Sequence, residues 1–185
     1  MSKLLNADES LYIVIDLQEK LVKILEEGSK VIKNSQTIAK TSSILNIPII
    51  ITEQYKKGLG ETIPEITSSV KQEGVVFFEK NSFSVLKEDG FLELLKKSGK
   101  KQIMISGIES HICVMQTALE LSENGYQVFV IKDASASRDN NQLELAMDRL
   151  NKNENIDVIT TEMAVFELLK TSKNNHFKEI QALIK

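Results

Sequence analysis

Six short runs of apolar, largely β-branched residues punctuate the chain: residues 11–15 (LYIVI), 47–52 (IPIIIT), 75–78 (VVFF), 102–106 (QIMIS), 127–131 (QVFVI) and 157–160 (DVIT). Each predicts a strand, and the lack of strict polar alternation predicts a sheet covered on both faces. Between them the apolar spacing turns helical. Residues 29–45 set Val31, Ile32, Ile38, Ile44 and Leu45 on one side of a helix that Asn46 and Pro48 stop. Segments 88–97, 112–123, 142–150, 162–170 and 176–184 read the same way. The alternation predicts an α/β protein, a three-layer αβα arrangement around a mostly parallel six-stranded sheet. Residues 53–74 break the rhythm, because Gly58, Gly60, Pro64 and Gly74 mark turns. That segment is expected to be a loop beyond the second strand.

The chain has 185 residues, 42% hydrophobic, and at roughly 150 residues per domain this predicts a single domain over residues 1–185. With 26 acidic against 23 basic side chains the net charge is −3. That balance lacks the concentrated positive surface phosphate backbones require, so nucleic acid is not an expected partner. No apolar run approaches the ~20 residues that span a bilayer, so no membrane partner is expected. Residues 1–10 carry no apolar stretch of secretory type, and a cytoplasmic location is expected. The single cysteine excludes an internal disulfide, and two histidines with one thiol are too few for a conventional zinc cluster.

Three reactive side chains fall at carboxyl ends of predicted strands or just beyond: Asp16 after LYIVI, Lys80 after VVFFE, and Cys113 past QIMISG at the start of a predicted helix. Parallel strands gather such ends on one side of the sheet. A thiol at a helix N-terminus beside an ammonium is expected to favour its thiolate, and a nearby carboxylate can shuttle its proton. Each residue also has a plainer use. Asp16 could cap a helix, Cys113 could pack as a small hydrophobe, and Lys80 could lie in solvent. Gln54, Tyr55 and Lys56 either border a pocket or belong to a solvated connection. Gln18 is a pocket amide or a first-turn helix residue. Phe83 and Tyr55 suit pocket walls or the core. His111 contacts substrate or hydrogen-bonds to backbone. Asp133 opens DASAS, which reads as helix-capping chemistry in preference to an acid behind the site.

Residues 13–19 (IVIDLQE), 51–60 (ITEQYKKGLG), 78–83 (FEKNSF) and 107–119 (GIESHICVMQTAL) together resemble the isochorismatase-like cysteine hydrolases, closest to the isochorismatase domain-containing branch. The resemblance implies that family's Rossmann-like fold and an Asp-Lys-Cys catalytic triad on Asp16, Lys80 and Cys113. It implies a cis peptide between Ile108 and Glu109, with the backbone N–H groups of Glu109 and Cys113 forming an oxyanion hole. Gln18, Gln54, Tyr55, Phe83, Ile108 and His111 are then the candidate substrate contacts. Nicotinamidases of the same family hold a metal through an Asp and two His, but residues 52–60 contain no His, so no metal is expected. The implied activity is hydrolysis of a small amide or related carboxylic acid derivative through a thioester, with no organic cofactor, by a homo-oligomer. The alternatives are a non-catalytic small-molecule-binding protein and a redox sensor built on Cys113.

Overall fold

All six apolar runs form strands in the computed structural model, which describes residues 4–26, 28–71 and 73–185. They are β1 (Ser10–Ile15), β2 (Ile49–Gln54), β3 (Val75–Lys80), β4 (Gln102–Ile108), β5 (Gln127–Ala136) and β6 (Ile156–Ile159). The helices are α1 (Glu19–Val22), α2 (Gly28–Ile44), α3 (Lys56–Leu59), α4 (Pro64–Thr67), α5 (Phe91–Ser98), α6 (Met115–Glu123), α7 (Asn140–Leu150), α8 (Thr161–Leu169) and α9 (Phe177–Gln181). The sheet runs β3-β2-β1-β4-β5-β6 and every pairing is parallel.

Strand residues alternate between two cores. Tyr12, Val14, Ile49, Ile51, Met104 and Phe129 pack against α2, α4, α8 and α9 through Val31, Ile38, Ile66, Leu168 and Ile180. Leu11, Ile13, Ile15, Ile103, Ile105 and Val130 pack against α5, α6 and α7 through Phe91, Leu95, Ala118, Leu121 and Met147. The continuous apolar character of β1 is therefore explained by burial of all six residues. β3 is an edge strand, with Val76 and Phe77 exposed. Among the described residues no helix is long and apolar enough to cross a membrane.

Several boundaries differ from the sequence expectation. β2 starts at Ile49, beyond Pro48, whose carbonyl accepts from the Tyr12 N–H at 2.9 Å. β5 runs five residues past its apolar core because it bulges: Ile105 of β4 pairs with Val130, whereas Gly107 pairs with Ser135. The 53–74 loop contains α3 and α4, and Gln18 bridges to Thr62. The predicted helix at 112–123 opens instead with a π-helical segment, Ser110–Val114, before α6. Such segments recur at functional sites.

Candidate active site

The strand order reverses between β1 and β4, and ligands in open α/β sheets bind at such a switch point. β1 ends there in Asp16, whose backbone takes the left-handed conformation at φ 51°. The carboxylate is wholly buried. Its Oδ1 accepts from the Thr52 hydroxyl at 2.6 Å, and its Oδ2 lies 2.7 Å from Lys80 Nζ and takes no other hydrogen bond. Lys80, the last residue of β3, is 1% exposed although it belongs to an edge strand. Its ammonium also donates to Gln54 Oε1 (2.6 Å) and to the carbonyls of Phe83 (3.1 Å) and Ser82 (3.3 Å).

Gln54 is aimed by hydrogen bonds at both ends of its amide, with Nε2 donating to the Asn81 carbonyl at 2.7 Å. Its backbone is gripped by Gln18, which accepts from the Gln54 N–H at 2.7 Å and donates to the carbonyls of Gln54 (3.0 Å) and Gly60 (2.6 Å). Gln18 is thus fully buried with both N–H donors used, and the structure places it beneath the β2–β3 loop and not at a pocket mouth. Glu53 does parallel work, accepting from the backbone and hydroxyl of Thr62 and pairing with Lys56 at 2.9 Å.

β4 delivers the turn that carries Cys113 beside Asp16. Ile15 pairs with Gly107, where φ is 128° and a Cβ would collide with the Ile15 carbonyl, so only glycine admits this approach. The Ile108–Glu109 peptide is cis. Ile108 is buried in the α2-side core, and Cys113, 7% exposed, follows within the π-helical segment on the α5–α7 side. The thiol faces the Asp16–Lys80 pair, and both charges act on it. Its pKa is pushed up to about 12, first by burial and then by the Asp16 carboxylate, with Lys80 opposing. The expected activation of a free thiolate is therefore reversed: water is excluded and Asp16 lies near enough to outweigh the lysine.

On the other side of the turn, both Glu109 carboxylate oxygens are held by Arg138: Oε1 accepts from Nη1 at 2.9 Å and Oε2 from the backbone N–H at 3.1 Å. His111 Nδ1 lies 2.9 Å from the Ser137 hydroxyl, a side-chain partner and not a backbone one. Tyr55 and Phe83 are each 56% exposed beside Lys80, joined to it through the Tyr55 N–H and the Phe83 carbonyl. They are outside the core. Asp133 is a cap, but for α8, accepting from the N–H and hydroxyl of Thr161. Thr52, Ser137 and Arg138 are site neighbours that sequence reasoning missed. Thr52 lay within the quoted ITEQ segment; Arg138 is brought over by the β5 bulge, which left no pattern to read. Among the described residues no three His, Cys, Asp or Glu side chains gather to hold a metal. A cavity of about 340 Å³ is walled by Asp133, Ser137 and Arg138 but not by Asp16, Lys80 or Cys113.

A thiol, a buried carboxylate and a buried ammonium meet at the switch point of a doubly wound parallel sheet. The isochorismatase domain matches residues 10–163, and the chain belongs to that family. It is 34% identical over 180 residues to isochorismatase domain-containing protein 2 of Danio rerio, covering 97% of this chain and 89% of the relative. A solved structure described as the MAR1 ribonuclease of Caenorhabditis elegans superposes with a TM-score of 0.91 at 34% identity, covering 98% of this chain and 92% of that one. The YcaC gene product of Escherichia coli, described as an octameric hydrolase of unknown specificity, superposes at 0.88 with 23% identity over 100% and 96% of the two chains. At that identity it speaks for the fold alone.

Proposed function

We propose that this protein is a cysteine hydrolase that cleaves a small, uncharged amide or a related carboxylic acid derivative through a thioester on Cys113. The observation that carries this reading is the buried Asp16–Lys80 ion pair, 2.7 Å across, facing the chain's single thiol. Because the thiol rests protonated, sulfur attacks only as Asp16 removes its proton, which makes Asp16 a general base in the same step. Lys80 balances the charge that would otherwise be stranded in a dry site. The carbonyl oxygen becomes an oxyanion held by the backbone N–H groups of Glu109 and Cys113. Collapse expels the amine, which takes the proton from Asp16, and leaves the acyl group on sulfur. Asp16 then draws a proton from water, the hydroxide attacks the thioester carbonyl, the Cys113 thiolate leaves and takes that proton back from Asp16, and the acid departs.

Nucleophile, acid–base group and cation are all side chains, so the chemistry calls for no organic cofactor. Tyr55, Phe83 and His111 are proposed to wall the substrate, and Gln54 and Gln18 to act behind Lys80. Tyr55 and Phe83, exposed beside Lys80, and Phe77, exposed on β3, are apolar surface that a homo-oligomer would cover. The ribonuclease name of the Caenorhabditis relative offers a phosphodiester reading; a net charge of −3 favours an uncharged carbonyl substrate.

The test is exposure to p-nitrophenyl acetate, with release of p-nitrophenolate and intact mass followed together. One acetyl group on Cys113, formed and then lost, is expected. Cys113→Ala should lose at least about 10⁴-fold in rate, the scale seen when a catalytic nucleophile is removed. Full turnover without Cys113 would overturn the mechanism, and a folded protein that never acylates would leave the binding-protein reading in its place.

A further inference from the structure

We propose that Arg138 is a positioning residue, fixing the peptide of the nucleophile turn that binds the oxyanion, with Ser137 as its helper. The inference rests on the hydrolase reading above. It starts from the β5 bulge. Between the pairs Ile105–Val130 and Gly107–Ser135, β4 advances two residues and β5 five, which carries residues 135–138 to the end of β4. α2 pins the bulge, with Asn34 donating to the Asp133 carbonyl at 2.7 Å and Ser35 to that of Ala134 at 3.2 Å, and the Ser135 hydroxyl closes it on the Ile131 carbonyl at 2.8 Å. The β4–β5 ladder then ends at Ile108–Ala136.

Past that point the connection passes to side chains. Glu109 is tied to Arg138 at two atoms and His111 to Ser137 at one, so both ends of the Glu109–His111 stretch leading to Cys113 are moored to consecutive residues of one loop. A carboxylate caught at both oxygens can neither swing nor slide, and the backbone that bears it is restrained in turn. The exposures make this a restraint and not a core contact: the Glu109 side chain is 8% exposed and that of Arg138 60%. With Arg138 truncated, Oε1 loses its donor while Oε2 keeps the backbone N–H, so the carboxylate can turn about that remaining bond and carry the Glu109 N–H off its line. Displacements of about 1 Å at such a donor cost roughly 100-fold in rate. Arg138 itself touches no reacting atom in this scheme.

Two reactions of the one thiol separate geometry from nucleophilicity. Alkylation by iodoacetamide is displacement at a saturated carbon and forms no oxyanion; acylation by p-nitrophenyl acetate does. Both rates are measured at pH 8 on wild type, Arg138→Ala, Arg138→Lys, Glu109→Gln and the Arg138→Ala/Glu109→Gln double variant. Acylation is expected to slow roughly tenfold to 100-fold in Arg138→Ala and Glu109→Gln, with alkylation unchanged within about twofold. Arg138→Lys should recover part of the loss, and the double variant should be no slower than either single one, because both remove one tie. Equal slowing of both reactions, or of neither, overturns the inference while leaving the hydrolase standing. A wild type that alkylates but never acylates removes the hydrolase reading, and this inference with it.

Discussion

On the β1–β2–β3 side of Cys113 the charges are out of water: Asp16 and Lys80 are fully buried and Glu53 is 2% exposed. On the β5 side the cation reaches solvent: the Arg138 side chain is 60% exposed, although its partner Glu109 is 8% exposed. The buried flank sets the electrostatics of the thiol, because low dielectric magnifies each charge and forbids an unmatched one. The solvated flank contributes little field, and its two-atom grip on Glu109 supplies geometry. One site is thus held by strong coupling on one side and by shape on the other, and substitutions should separate the two.

The largest effect is expected at Lys80. Lys80→Met keeps the apolar stem but strands the Asp16 carboxylate in the core, and should lower unfolding free energy by about 3–5 kcal/mol, read from urea denaturation. A loss below about 1 kcal/mol would mean that Asp16 finds another partner or takes up a proton, and would remove the basis for calling this flank strongly coupled.

Next comes Gln18→Ala, which leaves the Gln54 N–H and two carbonyls to find other partners. A loss of about 1–3 kcal/mol is expected. Because the Gln18 amide meets backbone alone, substrate affinity should change no more than in Gln54→Ala, where Lys80 loses an acceptor directly. A rise in KM confined to Gln18→Ala would restore it as a substrate contact.

A smaller effect tests the sign of the field. The folded thiol, held near 12 first by burial and then by Asp16, lies above the ~8.5 of an unfolded cysteine. Its contribution to stability is therefore intact below pH ~8.5 and lost as pH rises from there toward about 12, since only the unfolded chain releases the proton readily. The wild-type urea midpoint should fall relative to Cys113→Ala across that range. Asp16→Asn removes one cause of the upward shift but also the base that takes the thiol proton, so acyl turnover should fall. Unchanged turnover would mean that Asp16 is not that base.

Legibility in the sequence followed the same division. The order and type of the strands were readable because most are buried on both faces and so continuously apolar; Asp16, Lys80 and Cys113 could each be set at a strand end, but only the family resemblance joined them. What could not be read depended on distant partners. Gln18 stayed open between a pocket amide and a first-turn helix residue, since nothing local says that its two donors meet the carbonyls of Gln54 and Gly60. The thiol was expected to ionise, because a motif names the neighbouring lysine but not the balance of burial and carboxylate against it. Arg138 went unnoticed, because five residues of β5 against two of β4 is a fact of pairing and leaves no trace in hydropathy.

The smallest expected effect lies on the solvated flank. Arg138→Ala breaks an ion pair whose guanidinium is already mostly in water, and the Glu109 Oε2 bond to the backbone N–H of residue 138 survives the substitution. A pair with one partner mostly in water, whose carboxylate keeps a second donor, contributes about 1 kcal/mol or less, so the urea midpoint should move only slightly, several times less than in Lys80→Met. The comparison becomes sharp when that small stability change accompanies a large drop in Cys113 acylation, because a residue that matters to rate and hardly to folding acts through placement. A stability loss matching that of Lys80→Met would show both flanks to be parts of one buried network, and the division between field and shape would fail.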